Sequence, residues 1–246
     1  MSGGNAMSDS RADLVGLLPA EVEALMAELG QPRYRGRQVF HWVHARRALD
    51  IEAMTNLSRT LRAALASRAR VSRPAVAQVQ RSLDGTRKYL LRLADEEEIE
   101  SVLIPDEDRL TACISTQVGC PLECRFCLTG LMGVRRNLRA GEIVGQILAV
   151  QDRLERGERI SNIVLMGMGE PLLNFPQVER ALRILGDERG ASFSPRRITL
   201  STVGHVPGIQ KLAASGLNVN LAVSLSATTD EVRDQIMPIN RRWPIA

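Results

Sequence analysis

Three of the four cysteines in the chain lie close together, at Cys120, Cys124 and Cys127. Thiolates at this C-x3-C-x2-C spacing can bind one metal centre, and three of them can hold three irons of a [4Fe-4S] cluster. The fourth iron would then have no protein ligand and could bind a small molecule directly. The spacing therefore predicts an iron-sulfur cluster with one open coordination site.

A structural zinc site is the main alternative for this loop. Structural zinc is usually held by four protein ligands, whereas the loop offers only three. The fourth would have to come from Cys113, His41, His44 or His205, which are all remote in sequence. The cluster is therefore the favoured interpretation. A disulfide framework is disfavoured, because few cysteines and no signal peptide are typical of a cytosolic chain.

Length and composition indicate a folded chain. With 246 residues, of which 44% are hydrophobic, it can bury the core of one large domain or two smaller ones. No apolar run approaches the roughly 20 residues that a membrane span needs, so we predict a cytoplasmic protein without membrane association. The net charge of +4 fits an acidic partner such as RNA. Residues 1–12, rich in Gly and Ser, are predicted to be a disordered start.

Between residues 13 and 70 the apolar residues recur at helical spacing and predict three short helices. Pro19 suits the first turn of the first helix, and Asn56 or Ser58 suits the N-cap of the third. We assign this block to a small helical accessory domain. Its arginines form either a solvated basic face or an RNA-docking face. They are Arg33, Arg35, Arg37, Arg46, Arg47, Arg59 and Arg62.

Residues 71–110 are predicted to form a linker followed by a short β unit. Asp84 and Gly85 are a strong signal for the turn of a β-hairpin. The predicted strands span residues 79–83, 89–93 and 99–104. Glu100 alternates with apolar neighbours in the third strand, so the pattern alone indicates a solvated strand residue.

Beyond residue 110 the pattern changes to strands that alternate with helices. Strands are predicted at residues 113–117, 163–166, 197–201 and 219–225. Helices are predicted at residues 141–155, 177–185, 206–215 and 230–236. The predicted fold class is α/β, with four βα units on a parallel sheet over residues 111–246. In such sheets, ligands bind beyond the carboxyl ends of the strands.

Polar or glycine-containing segments follow all four of these predicted strands. They contain, in chain order, the cysteine loop, Gly169, Glu170, Ser201, Ser224 and Ser226. Each segment could be structural by itself, since glycines often only permit a tight bend. Together, at one end of a sheet, they predict a cofactor site in which Glu170 could bind an ammonium group.

Six segments together resemble one family, the RlmN-type adenine-C2 methyltransferases of the radical S-adenosylmethionine (SAM) superfamily. They are residues 99–102, 117–120, 136–138, 167–174, 197–202 and 237–240. The helical block is similar to the accessory RNA-binding domain of that family. The resemblance implies a partial (β/α) radical-SAM barrel with about four of its about six βα units present.

The resemblance also implies roles for individual residues. Cys120, Cys124 and Cys127 would bind the [4Fe-4S] cluster. The SAM site would comprise Gly169, Glu170, Ser201, Ser224 and Ser226, the last of which stands where the family has a histidine. Glu100 matches the proposed base of the family, which replaces its interpretation as a solvated residue. Cys113 matches the thiol that resolves a protein-RNA crosslink.

In this family one SAM methylates a cysteine in the C-terminal part of the chain. A second SAM is cleaved to a 5′-deoxyadenosyl radical, which takes a hydrogen from the S-methyl group. The carbon radical adds to C2 of an adenine in 23S ribosomal RNA or transfer RNA, and a thiolate then frees the product by forming a disulfide. The resemblance further implies a monomer that receives electrons from a flavodoxin-type donor.

The resemblance assigns all four cysteines, so the methyl-carrying cysteine is absent from the sequence. We therefore expect an N-terminal fragment of such an enzyme, inactive when alone. Two other functions stay open. One is a Cfr-type methyltransferase that acts at C8 of the same adenine, and the other is a non-catalytic RNA-binding protein with a structural metal site.

Overall fold

The computed structural model describes residues 10–245, which begin with the helical block. Its elements are β1 (Ala12–Asp13), α1 (Pro19–Glu28), α2 (Arg33–His44), α3 (Arg59–Arg68) and β2 (Ala69–Arg70). The three predicted helices are confirmed. Ser58 is the N-cap of α3, where its hydroxyl accepts a hydrogen bond from the N–H of Leu61 (3.2 Å). Residues 1–9 of the predicted disordered start lie outside the described residues, and Ala12 belongs to β1.

Gly36 allows α1 and α2 to pack closely. A Cβ atom at this position would lie 2.6 Å from the Cα atom of Glu23, so a larger residue would push the helices apart. Val22 and Met26 of α1 and Phe40 of α2 are buried. They belong to a single apolar core that continues into the rest of the chain.

His44, at the end of α2, is a buried titratable group in this core. It is 2% exposed, its ring centre lies 4.3 Å from that of Phe40, and its Nε2 has no hydrogen-bond partner within residues 10–245. Burial, reinforced by the charge of Arg73, lowers the pKa of His44 from 6.5 to about 4. A hydrogen bond to the backbone of Leu14 and the charge of Asp187 oppose this shift.

We expect the free energy of unfolding to decrease as the pH falls from about 6.5 to about 4. In this window the unfolded chain binds a proton at His44 and the folded chain does not, so stability rises with pH. The contribution is on the order of 3 kcal/mol. Urea unfolding above and within the window measures it. His44→Asn does not titrate there, and an equally steep loss of stability in that variant would contradict the prediction.

The described part of the chain after the helical block contains nine further strands. They are β3 (Ala75–Arg81), β4 (Arg87–Arg92), β5 (Glu98–Asp106), β6 (Arg109–Cys113), β7 (Gln117–Gly119), β8 (Val134–Asn137), β9 (Asn162–Leu165), β10 (Ile198–Thr202) and β11 (Asn220–Val223). All except β7 and β8 form one sheet in the order β11-β10-β9-β6-β5-β4-β3. Pairing is antiparallel from β3 to β6 and parallel from β6 to β11.

Five α-helices of the described residues accompany these strands. They are α4 (Leu128–Leu131), α5 (Ala140–Gln151), α6 (Phe175–Gly186), α7 (Val206–Ala214) and α8 (Asp230–Ile236). Each of the four parallel strands is followed by one of α5 to α8, which confirms the predicted α/β class and its four βα units. The sheet is open, with β3 and β11 at its edges. None of the described helices is long and apolar enough to cross a membrane.

The two faces of the sheet differ in burial. Ile163, Leu165 and Leu200 are at most 1% exposed and belong to the apolar core. Val164 and Thr199, which are paired across β9 and β10, are only half-buried and point the other way. We call the face that carries Val164 and Thr199 the inner face. Most side chains on it, including Val164 and Thr199, stay partly exposed in this open sheet.

The first parallel strand differs from the prediction. It spans Arg109–Cys113 rather than residues 113–117, because β5 and β6 form an antiparallel hairpin that places Val102 opposite Cys113. The turn of this hairpin uses Glu107 at a φ of +49°, a conformation that residues other than Gly, Asn and Asp rarely adopt. Cys113 therefore ends a strand, and the short β unit shares one sheet with the barrel.

Candidate active site

The loop that carries the three clustered cysteines begins after β7 and leads through α4 into β8. β7 and β8 pair in antiparallel fashion, and the N–H of Cys120 donates to the carbonyl of Gly133 (2.9 Å). Gly119, at a φ of +77°, makes this approach possible, since a Cβ atom there would lie 1.9 Å from the same carbonyl oxygen. The two ends of the loop are thereby held together.

Helices α4 and α8 hold the loop further along. Gly130 allows α4 to approach it, because a Cβ atom at that position would lie 3.0 Å from the backbone nitrogen of Cys124. The N–H of Arg125 donates to the carbonyl of Ile236, the last residue of α8 (2.9 Å). The cysteine loop is therefore fixed by contacts from both sides.

Eight of the ten predicted site residues line a single cavity of about 310 Å³. They are Cys120, Cys124, Cys127, Gly169, Glu170, Ser201, Ser224 and Ser226. The cavity lies beyond the carboxyl ends of the parallel strands, as the topology predicts. The other two residues, Glu100 and Cys113, do not line it.

The three cysteines fit an iron-sulfur cluster by their chemistry. Burial raises the pKa of Cys120 to about 11 and also raises the pKa of Cys124, so a metal centre would be needed to stabilise their thiolates. Thiolates are soft ligands that suit iron-sulfur clusters. Within residues 10–245 no group of three His, Cys, Asp or Glu side chains is arranged so that it could hold a metal ion. Cys120, Cys124 and Cys127 nevertheless share the wall of one cavity.

Gly167 and Gly169 are required by close contacts within the protein. A Cβ atom at Gly167 would lie 2.7 Å from the hydroxyl oxygen of Ser115, and one at Gly169 would lie 2.6 Å from the Cβ atom of Gln117. Gly169 also has a φ of +99°, which other residues rarely adopt. Both glycines are therefore needed for close packing within the protein, and both also lie in the cavity wall.

Glu170 is a buried carboxylate in the same wall, with 2% exposure. Burial raises its pKa, and hydrogen bonds from the protein oppose that effect. One oxygen accepts from the N–H of Val203 (3.0 Å) and the other from the N–H of Leu172 (3.1 Å). No Lys, Arg or His of the described chain forms an ion pair with it. Such a carboxylate is suited to bind a cationic group of a ligand.

The serines of the site stand at the ends of β10 and β11. The hydroxyl oxygens of Ser201 and Ser224 lie 3.4 Å apart. Ser226 adopts a φ of +59°, which is uncommon for a residue other than glycine. This turn brings Ser226 to the cavity wall together with the other two serines.

Glu100 and Cys113 lie on the inner face of the sheet. Val102 is paired with Cys113 and is two residues from Glu100, so all three share this face. Glu100 forms an ion pair with Lys88 of β4 (2.9 Å). Cys113 is 9% exposed, and burial raises the pKa of its thiol to about 11 against the effect of a hydrogen bond with the backbone of Met166. Because Met166 also lines the cavity, the two sites adjoin.

Two family models match the chain. The N-terminal domain of ribosomal RNA large subunit methyltransferases matches residues 12–71, and the radical SAM superfamily matches residues 114–244. Proteins named dual-specificity RNA methyltransferase RlmN are similar over nearly the whole chain. Those of Rhodospirillum rubrum, Geotalea uraniireducens and Geobacter sulfurreducens are 52%, 52% and 51% identical over 95%, 96% and 97% of it. The chain belongs to the RlmN family of the radical SAM superfamily.

Membership of the RlmN family agrees with the fold. The crystal structure of a radical SAM methyltransferase from Sphaerobacter thermophilus has a TM-score of 0.90 and 47% identity, over 95% of this chain and 69% of that one. The predicted partial radical-SAM barrel is thereby confirmed. The chain spans 56%, 67% and 65% of the length of the three RlmN relatives, in the order given above.

No role was predicted for Gln117 or Asn174 from the sequence, although both hold segments of the RlmN-type site together. The side-chain oxygen of Gln117 accepts from the N–H of Glu170 (2.8 Å). The amide of Asn174 donates to the carbonyls of Thr116 and Leu138 (2.8 Å each). Both are buried amides in segments that carry the family resemblance. A polar residue beside apolar neighbours in such a segment was the available signal.

Proposed function

We propose that the chain carries the cofactor-binding core of a radical SAM methyltransferase that modifies C2 of an adenine in 23S rRNA and in tRNA. The supporting observation is that three thiols, a buried carboxylate and three serines converge on one cavity. The name of the relatives, dual-specificity RNA methyltransferase RlmN, supports both the RNA substrate and the reaction. It favours neither Cfr-type methylation at C8 nor RNA binding without catalysis.

In this proposal Cys120, Cys124 and Cys127 hold a [4Fe-4S] cluster. When bound, the cluster supplies the electron that cleaves SAM to a 5′-deoxyadenosyl radical. Glu170 accepts a hydrogen bond from the ammonium group of SAM, and the hydroxyls of Ser201 and Ser224 orient its oxygen atoms. Gly169 and Ser226 complete the wall of the SAM site, which keeps water from the reacting groups.

Glu100 and Cys113 act on the RNA side of the reaction in this proposal. Glu100 is the base, and Cys113 is the thiol that resolves the protein-RNA crosslink. With a pKa of about 11, Cys113 is protonated at neutral pH and needs a base before it can act as a nucleophile. The position of Glu100 on the same face of the sheet supports this pairing of roles.

The proposed substrates place the reaction in the cytoplasm. We propose a flavodoxin-type protein as the electron donor and a monomer as the working state. The function is tested by reconstituting the chain anaerobically with iron and sulfide, reducing it with dithionite and measuring 5′-deoxyadenosine. A chain that takes up no cluster, or that leaves SAM intact when reduced, would contradict the proposal. In a reaction completed with the part of an RlmN relative that this chain does not match, liquid chromatography and mass spectrometry against standards distinguish C2-methylated from C8-methylated adenine.

Glu170→Gln should weaken SAM binding by about 1 to 3 kcal/mol, because it removes the charge from a hydrogen bond in a buried site. Equilibrium dialysis of the cluster-loaded variant with SAM measures the effect. Glu231→Gln makes the same change at an exposed position on α8 and is the matched control. Unchanged SAM affinity in folded, cluster-loaded Glu170→Gln would leave Glu170 with a structural role only.

A basic and aromatic surface on the helical domain is the proposed RNA-docking face. The guanidinium of Arg46 lies 5.0 Å from the ring centre of Trp42, and both line an open cavity of about 450 Å³. Arg33, Arg46 and Arg59 form no hydrogen bond or ion pair with other described side chains. Unpaired arginines and aromatic rings bind phosphates and unstacked bases, respectively.

Arg46→Ala should weaken RNA binding and reduce the salt dependence of log K by about one unit, because one phosphate contact is lost. Titrations of RNA at several salt concentrations measure both effects. Arg156→Ala is the control, since Arg156 is also exposed and lies between α5 and β9, outside the helical domain. Equal losses of RNA affinity in both variants would argue against a specific docking face.

A further inference from the structure

Arg233 is a buried guanidinium that lies behind the wall of the cofactor cavity. It belongs to α8 and is 3% exposed. Its nitrogen atoms donate to the carbonyls of Leu225 (2.9 Å), Val203 (2.6 Å) and Ser224 (3.3 Å), and to the side-chain oxygen of Asn240. None of these four acceptors carries a formal charge.

The positive charge of Arg233 has no direct counter-charge in the described chain, because no carboxylate there forms an ion pair with it. Two acidic groups are reached through Asn240, whose amide donates to Asp230 (2.9 Å) and Asp234 (2.6 Å). Charged groups that are buried in proteins are normally paired, since an isolated charge is costly to remove from water. An anion close to Arg233 is therefore expected.

The hydrogen bonds of Arg233 lead directly to the cavity. Val203 and Ser224, which accept two of them, line it, and Leu225 is the residue between Ser224 and Ser226. Val203 also donates its N–H to Glu170. The guanidinium therefore fixes the backbone at the ends of β10 and β11, where the serines lie. It is linked to the carboxylate of Glu170 through a single residue, Val203.

The cysteine loop is close to the same charge. Burial raises the pKa of Cys124, and the positive charge of Arg233 acts in the opposite direction. The loop contacts α8 directly, through the hydrogen bond from Arg125 to Ile236. Cys120, Cys124 and Met237 form one buried cluster beside the end of this helix.

We propose that Arg233 is a positioning residue for the SAM site and the counter-charge of the iron-sulfur cluster. The inference rests on the proposed function, because it assumes that Cys120, Cys124 and Cys127 hold a cluster. Reduction adds negative charge to the cluster, and a buried positive charge nearby stabilises the reduced state and raises the reduction potential. The planar guanidinium also holds three carbonyls and the Asn240 amide oxygen in a fixed fork geometry, which the compact ammonium of a lysine does not reproduce.

The two roles are separated by Arg233→Gln and Arg233→Lys. We expect the cluster-loaded Gln variant to have a more negative midpoint potential than the wild type, because the charge is lost. The Lys variant keeps the charge and should keep the wild-type potential. Both should bind SAM roughly tenfold to a hundredfold more weakly, as is typical when a group that orients ligands is removed. Redox titration followed by electron paramagnetic resonance gives the potential, and equilibrium dialysis gives the SAM affinity.

Arg241→Gln is the matched control. Arg241 is an exposed arginine that follows Asn240, so the substitution removes the same charge at a position open to solvent. Solvent screens such a charge, and we expect the midpoint potential to stay at the wild-type value. A third variant, Asn240→Ala, leaves the guanidinium in place and removes one acceptor. It should weaken SAM binding without moving the potential.

A cluster-loaded Arg233→Gln with wild-type potential and wild-type SAM affinity would overturn the proposal and leave Arg233 with a purely structural role. Should that variant fail to fold, Arg233→Lys and Asn240→Ala decide, and wild-type SAM affinity in both would overturn it. Failure of the proposed function looks different. In that case the wild-type chain itself takes up no cluster, so no potential can be measured for any variant.

Discussion

Replacing Cys120, Cys124 or Cys127 with alanine should leave the anaerobically reconstituted chain without its cluster. Each substitution removes one of only three protein ligands, and clusters of this type are usually held by more. The loop is closed at its base and contains no further Cys or His that could substitute. Bound iron, bound sulfide and the visible absorption of the cluster should therefore fall to background in all three variants.

Cys113→Ala is the matched control for these variants, since it makes the same change at the fourth cysteine. Cys113 lies on the inner face of the sheet and does not line the cavity. Its loss should leave the iron content at the wild-type value. A Cys113 variant without a cluster would show that its assigned role is wrong and would favour a site with four protein ligands.

The 246 residues tested alone should bind a cluster and cleave SAM, yet form no methylated adenine. The reaction implied by the family needs three cysteines for the cluster, one to carry the methyl group and one to release the product. The chain contains four cysteines, and all of them are assigned. Methyl transfer should therefore be absent rather than slow, because no side chain is left to carry the methyl group.

The measurement uses reconstituted chain, reductant, labelled SAM and unmodified ribosomal RNA. A parallel reaction also receives, as a separate polypeptide, the part of an RlmN relative that this chain does not match. Production of 5′-deoxyadenosine in both reactions shows that the cofactors are active. Methylated adenine formed by the chain alone would contradict the assignment of Cys113 and the count of required cysteines.

The parts of the fold that could be predicted from sequence are those set by local patterns. Helix α8 has the predicted bounds of residues 230–236, since Thr229 caps its first turn and Met237 and Pro238 end it. The cavity could be predicted because parallel strands direct their carboxyl ends to one side. Polar residues placed just after such strands must therefore come together, whatever the details of the loops.

The features that could not be predicted depend on contacts between distant residues. The register of β6 is set by its pairing with β5 across a turn in which Glu107 has a positive φ, a conformation that a glutamate rarely adopts. Arg233 stands between Val232 and Asp234 in a short polar helix, where an arginine ordinarily faces solvent. Its burial follows from the packing of α8 against the ends of β10 and β11. Packing between such distant segments cannot be predicted from a local sequence pattern.

The mixed sheet also has a consequence for the order of folding. Strands β3 to β6 are joined by short turns, whereas β6 and β9 pair only after residues 114–161 have been brought together. Closing a longer loop costs more entropy, and distant contacts form more slowly. The antiparallel half should therefore form first, with Glu100 and Cys113 in place. The cofactor cavity is completed afterwards, because the segments that carry Glu170 and the serines reach it only when β9, β10 and β11 have paired in parallel.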